Sequence, residues 1–498
     1  MQKKIISIVV QFLNIFFLLL INRFFYQEFG LFFLGLYNAA VILTQFILIL
    51  SDFGISSGLT NQISKYKSSN KDYVTKIAQS GLFISIFIFI FFIIFITFFL
   101  QNKLISELLK IQNYDDFSII YFLMIGMLIA IPRNQLGSIL MGFNLPHIWS
   151  FLNVFTNFIN LIGLLFTLHF GFSNFTIGYV YILTNSISLG IFIIFVFKNT
   201  FPKILLINFH YQCFKKILHF STKIYIGSLI SFFSSFIDRI LVFSVISINI
   251  LGIYSIIHNV SQKIEVIGNS IALTIFPELS SDSNKSKELF INNVKNWVEF
   301  TNFASLNAAI LIFFASDYIY YFVFNEFPDF QIKLIFTIII LSYFTKSICN
   351  LIIWVISSIN KPEIQIYYGI INFVTYLILI LIYYQSININ IIAYSFLLAN
   401  IISLIFVIIY LIKLLNNYLI LKIFVDFFKF FVFSIILMSI IYLIINLKLN
   451  IHFTSILTFT IYFFSMLFLL LKTNFLNNYK NNEIIKYILL KTKILKLK

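Results

Sequence analysis

Six ionisable side chains stand inside otherwise apolar runs of this sequence: Asp52, Asp238, Arg239, Lys263, Glu265 and Lys346. Three are bases and three are acids. The chemistry they offer is binding rather than bond-making. A guanidinium can grip phosphate bidentately and an ammonium serves as a point charge. A carboxylate can position those cations or carry a coupling proton or sodium ion. Metal chemistry has little support. The two cysteines, Cys213 and Cys349, lie far apart, and the six histidines never pair at ligand spacing. No metal and no cofactor is expected.

Polar neighbours extend each charge into a stripe. At 100° per residue, Asn38, Gln45, Asp52 and Ser56 fall within about 40° of one another. Ser228, Ser231, Ser234, Ser235, Asp238 and Arg239 share a second face, and Ser255, His258, Asn259, Gln262, Glu265 and Asn269 a third, with Lys263 at its edge. Ser342, Lys346, Asn350 and Ser357 make a fourth. One stripe can glue two helices together; four with both signs of charge point to a shared hydrated cavity. Alternatives stay open. Asp238 beside Arg239, and Lys263 near Glu265, also read as structural ion pairs. His258 reads as a satisfied polar residue or a proton relay. Arg23 and Arg133 either snorkel to headgroups or join the cations of the cavity.

The elements that must position these residues follow from composition. The 498 residues are 60% hydrophobic and 10% charged, against about 25% charged in a soluble chain. Apolar runs of about 20 residues recur, the length a bilayer core of about 30 Å demands. No strand-like alternation is visible, which excludes a barrel. The expectation is an all-α polytopic membrane protein of about fourteen helices. They are placed near 5–27, 31–62, 74–100, 117–142, 146–170, 174–198, 217–246, 250–277, 292–316, 330–358, 362–384, 389–413, 421–446 and 451–472. The first run is too long for a signal peptide and lacks a small-residue cleavage site.

Lysine and arginine test that arrangement. With the N-terminus inside, the inner segments collect most of them, while the outer segments hold Arg23, Lys103, Lys110, Lys333 and Lys448. This asymmetry implies cytoplasmic N- and C-termini. The net charge of +16 then reflects the inner face and its anionic lipid, not nucleic acid. A weak internal echo divides the chain. Phe29-Gly30-Leu31-Phe32 and Leu251-Gly252-Ile253-Tyr254 each follow a short polar step and precede a long helix. The expected organisation is an N-terminal six-helix lobe over 1–198, a cytoplasmic loop over 199–216 and a second six-helix lobe over 217–413. Two further helices over 421–472 and a basic cytoplasmic tail over 473–498 complete it.

Several segments resemble Wzx-type flippases for lipid-linked oligosaccharides, in the superfamily that also holds MATE drug antiporters and lipid II flippases. They are Arg23-Phe24-Phe25-Tyr26-Gln27-Glu28-Phe29-Gly30, Ser51-Asp52-Phe53-Gly54 and Ile237-Asp238-Arg239-Ile240. Leu251-Gly252-Ile253-Tyr254 and Phe276-Pro277-Glu278-Leu279-Ser280 follow. Tyr26 departs from the pattern, standing where the family usually has Gly. The resemblance implies a transporter rather than an enzyme, in the cell inner membrane. Its two lobes would open alternately to move an undecaprenyl-pyrophosphate-linked glycan, for O-antigen, capsule or a related polymer. It implies substrate cations at Arg239, Lys263, Lys346, Arg23 and Arg133, and positioning or ion-coupling acids at Asp52, Asp238 and Glu265. Asn38, Gln45, His258, Asn259, Gln262, Asn269 and Asn350 would complete the cavity. Partners would be the lipid-linked glycan, the bilayer, a coupling H+ or Na+, and polysaccharide polymerase or ligase machinery. A MATE-like exporter of organic cations is the alternative, disfavoured by three embedded bases. A membrane glycosyltransferase using Asp115-Asp116 is a third reading, disfavoured by the lack of any large outer domain.

Overall fold

The computed structural model describes residues 2–67, 69–100, 114–170, 174–206, 208–282, 287–359, 361 and 363–415, and these are helical almost throughout. The expected helices at 421–446 and 451–472, the tail from 473, and Lys103, Lys110, Lys285 and Lys448 lie outside the described residues.

Helix is what these runs must form, because in lipid every backbone N–H and C=O needs a partner within its own segment. The first seven helices are α1 (Gln2–Asp52), α2 (Ile55–Tyr66), α3 (Lys71–Leu100), α4 (Tyr114–Leu128), α5 (Ala130–Gly142), α6 (Pro146–His169) and α7 (Asn174–Asn199). The next six are α8 (Tyr211–Leu241), α9 (Ile248–Asp282), α10 (Lys287–Phe324), α11 (Phe330–Ser358), α12 (Ile364–Ile382) and α13 (Ile389–Leu415). Each of the twelve helices expected between 5 and 413 has a counterpart. Ten stretches among the described residues are long and apolar enough to cross a bilayer. One of them, Phe16–Asp52, supplies two expected helices by folding back at Gly30, whose φ of 82° a glycine adopts without penalty. Phe25 stacks on Tyr37 at 4.4 Å and Asn38 Nδ2 donates to Asn22 Oδ1 at 3.3 Å, pairing residues on either side of that turn. Helix α9, diluted by its polar stripe, is not among the ten.

Three of the expected helices are broken. The second expected helix stops at Asp52 and restarts at Ile55, with Phe53 at φ 45° and Gly54 at φ 72°. The fourth divides at Ile129, three residues before Pro132, a residue with no N–H to give. The seventh ends in a π-helical turn, Val242–Ile246, after which Ser247 Oγ accepts from the Ile250 amide and starts α9.

Helices α1 to α7 pack chiefly on one another, as do α8 to α13, and the two sets meet through α1, α2 and α3 on one side and α8, α9 and α10 on the other. Two glycine contacts mark where they touch. A Cβ on Gly35 would stand 2.1 Å from the Ile248 carbonyl oxygen, and Gly252 packs beside Gly35. At the lysine-rich end, a Cβ on Gly58 would stand 2.4 Å from Ser221 Oγ and 2.7 Å from Ile217 Cγ2. Both seams are shut. Outward faces are apolar: Phe98 is 77% exposed and Leu381 69%, an arrangement suited to lipid and not to water.

Candidate functional site

The break after Asp52 builds the first polar cluster. Its Oδ1 accepts from the Ser56 amide at 3.2 Å, in the first turn of α2, and from the Ser56 hydroxyl. Gln135 on α5 donates through Nε2 to Asp52 Oδ1 and to Ser56 Oγ, at 3.1 Å each. That leaves Gln135 Oε1 buried without a partner. A cavity of about 290 Å³ opens here, lined by Gln45, Asp52, Ser56, Arg133, Asn134 and Gln135 and closed from the other half by Tyr225 and Ser228. Tyr225 donates its hydroxyl to the Leu50 carbonyl at 3.2 Å. Arg133 turns away from Asp52: Nη1 donates to Asn185 Oδ1 at 3.1 Å, and Asn185 in turn donates to Asn160. Residues 133 and 135 lie about 200° apart on a helix, which separates their directions. Broken helices of this kind are where transporters build ion and substrate sites.

A second cluster joins α8, α9 and α11. His258 Nε2 lies 2.8 Å from Asp238 Oδ2, and Tyr254 donates its hydroxyl to the same oxygen at 3.1 Å. His258 Nδ1 meets the Tyr343 hydroxyl at 3.1 Å. The Arg239 amide donates to Asp238 Oδ1 at 2.8 Å, while its guanidinium donates to the Ser235 carbonyl and lies 4.1 Å over the Phe236 ring. Lys346 donates to Ser235 Oγ at 2.7 Å and pairs with Glu265 Oε2 at 3.4 Å, and Asn350 donates to Glu265 Oε1 at 3.0 Å. Asp238, Arg239, His258 and Lys346 are buried here.

These placements revise the two pairings read from neighbouring positions. Asp238 takes His258, not the Arg239 side chain, and Glu265 takes Lys346, not Lys263. Residues one or two apart on a helix do not face each other. Lys263 is half-buried and has no partner among the described residues; Asn259, Gln262 and Asn269 on the same helix are half-buried too. Arg23 stands apart, 4.7 Å over the Phe322 ring of α10. Asn38 is committed to Asn22 and to the Leu34 carbonyl.

Sequence reasoning missed Gln135, Asn185, Tyr254 and Tyr343 as site residues. Gln135 carried a usable signal, since it follows Pro132 and Arg133 in the only polar stretch of its span. Tyr254 stood in the quoted segment Leu251-Gly252-Ile253-Tyr254, while Tyr343 carried no signal among 27 Tyr and 66 Phe.

The polysaccharide biosynthesis protein family model matches residues 1–282. No curated protein matches the sequence. Among solved structures, the fold is similar to that of a multidrug resistance MATE family transporter of the MOP superfamily in an inward-facing conformation. The TM-score is 0.68 at 12% identity, over 83% of this chain and 98% of that one. It is also similar to the lipid II flippase MurJ in an inward closed conformation, with TM-score 0.67 at 15% identity over 93% and 97% of the two chains. A third similar structure is a MOP superfamily transporter from Pyrococcus furiosus whose binding pocket is described as of reverse polarity. That comparison gives TM-score 0.57 at 13% identity, over 83% and 94%. At such identities the likeness is one of fold.

Proposed function

The chain belongs to the polysaccharide biosynthesis protein family, and from that membership we propose that it is a flippase for a polyprenyl-pyrophosphate-linked oligosaccharide, a transporter and not an enzyme. It moves the glycan across the cell inner membrane, with both termini cytoplasmic, by alternate opening of lobes formed by 1–198 and 217–413. The headgroup is large, polar and anionic, so it needs a wet path with cations while the lipid tail stays in the bilayer.

The observation that carries this reading is Lys263, an ammonium within a membrane helix that has no partner among the described residues and stands on a half-buried face with Asn259, Gln262 and Asn269. An unpaired ammonium at that depth is costly unless it receives an anion or water. Arg239 on α8 and Lys346 on α11 complete the pyrophosphate site when the seams part, with Arg133 and Arg23 along the path. Asp52, with Gln45 and Gln135, holds the coupling proton or sodium ion; Glu265 positions Lys346, and Asp238 positions His258. Asn38, His258 and Asn350 keep those groups in register.

The test is genetic. Deleting the gene in its host is expected to trap lipid-linked intermediate on the inner leaflet and remove surface glycan. Wild type restores both. Lys263→Ala, at normal expression, is expected to restore roughly a tenth or less, since a charge-assisted contact is worth about 1.5–3 kcal/mol. Unchanged lipid intermediates and surface glycan in the deletion strain would overturn the reading.

A further inference from the structure

The shut seam at the lysine-rich end carries an unusual burden of like charge. Lys65 and Lys67 close α2, Lys71 and Lys76 open α3, and Lys215 and Lys216 precede Ile217 on α8. All but the half-buried Lys67 are exposed, and Asp72 is the acid among them. Lys65 lies seven residues beyond Gly58, two turns along the same face of α2. Lys216 immediately precedes Ile217, which packs on Gly58. The cations therefore bracket the seam, some on each half.

Aromatic rings tie them together. Tyr66 and Tyr73 meet edge to face with centroids 4.9 Å apart. Lys65 from the first half lies 5.5 Å over Tyr66, and Lys216 from the second lies 5.1 Å over Tyr73. Beside them Lys71 lies 5.7 Å over Phe201. One tyrosine pair thus holds an ammonium from each half at close quarters. Left alone, like charges across a contact push it apart. Clusters of four to eight basic residues just beyond membrane helices, as here, attract anionic lipid headgroups, and tyrosine rings favour that headgroup level.

We propose that this cluster is a binding site for an anionic phospholipid headgroup, which bridges Lys65 and Lys71 to Lys215 and Lys216 and so holds the seam shut. The lipid acts as a removable clasp between the halves. Its loss leaves the repulsion unopposed and favours opening at this end. The site does not depend on which substrate the chain carries.

Cys213 reports the seam. It is buried on α8 within electrostatic reach of Tyr73, Lys76 and Lys216, and Cys349 is the chain's other cysteine. The full chain carrying Cys349→Ser is reconstituted into phosphatidylcholine vesicles with or without phosphatidylglycerol. The rate at which a maleimide modifies Cys213 is then measured. Phosphatidylglycerol is expected to slow labelling several-fold. Lys65→Gln with Lys216→Gln removes repulsion and lipid site together, so it is expected to label at the same rate in both lipids, and Lys65→Arg with Lys216→Arg to recover the slowing. Equal rates in the two lipids for the chain carrying Cys349→Ser alone would overturn the proposal, as would a lipid effect that survives the glutamine pair. Slowing by inorganic pyrophosphate in pure phosphatidylcholine, to the same degree, would reassign the site to a soluble anion and overturn it as a lipid site.

Discussion

Lys263 and Lys346 stand on neighbouring helices in opposite circumstances. Lys346 is committed to Ser235 and Glu265, and Lys263 to nothing among the described residues. The sequence assigns both the same standing, as bases in apolar helices. It could not divide Glu265 between them, because the choice depends on how α9 rolls against α11. Asp238 makes the same point, since its partner lies twenty residues on, at His258. The ionisable residues themselves were legible, because lipid excludes them unless something holds them. Two substitutions separate the roles. Asp238→Ala strips His258 and Tyr254 of their acceptor and should destabilise the fold by about 3–5 kcal/mol, as breaking a buried pair does; thermal unfolding in detergent checks it. Lys263→Ala should leave the melting temperature near wild type while transport falls. A melting loss for Lys263→Ala as large as that for Asp238→Ala would make Lys263 a structural residue.

Helix positions were legible from the length of the apolar runs, and α11 was placed at 330–358 with no error. The breaks inside helices were less so. Pro132 announced one of them. The break at Phe53–Gly54 did not announce itself, because a glycine in a membrane helix is ordinary and a left-handed phenylalanine beside it leaves no trace in composition. Yet that break aims Asp52 at Gln135 and builds the cavity. Gly54→Ala should cost about 1–2 kcal/mol from the left-handed backbone alone, and more from the Ser221 carbonyl oxygen, 2.6 Å from where its Cβ would fall. Gly58→Leu is the sharper instrument. Its side chain meets Ser221 and Ile217, so maleimide should reach Cys213 faster than in the parent in any lipid. Unaltered labelling would mean that the two halves yield elsewhere.

At the scale of the molecule, the family model ends at residue 282, close to where the recognisable motifs run out at Ser280. Beyond it the fold was read from helix count and length. The division into lobes rests on the internal echo, and the cytoplasmic placement of both ends on the lysine bias, which fusions test. A reporter active only outside the cytoplasm should be silent when joined after residue 208 and active after residue 327, between α10 and α11. The reverse pattern would turn the protein over.

The fold-back at Gly30 has a mechanical consequence. Two membrane-crossing helices are joined through one residue, with neither loop nor slack between them. Under the proposed alternate opening, a tilt of the first helix would swing the second with it, carrying Gly35 off Ile248 at one end and drawing on Asp52 and Gly58 at the other. The pair would then work as a single crank whose throw reaches both seams. A few flexible residues inserted after Gly30 should leave the helices in place and uncouple their motion, giving a chain that folds, binds and no longer turns over.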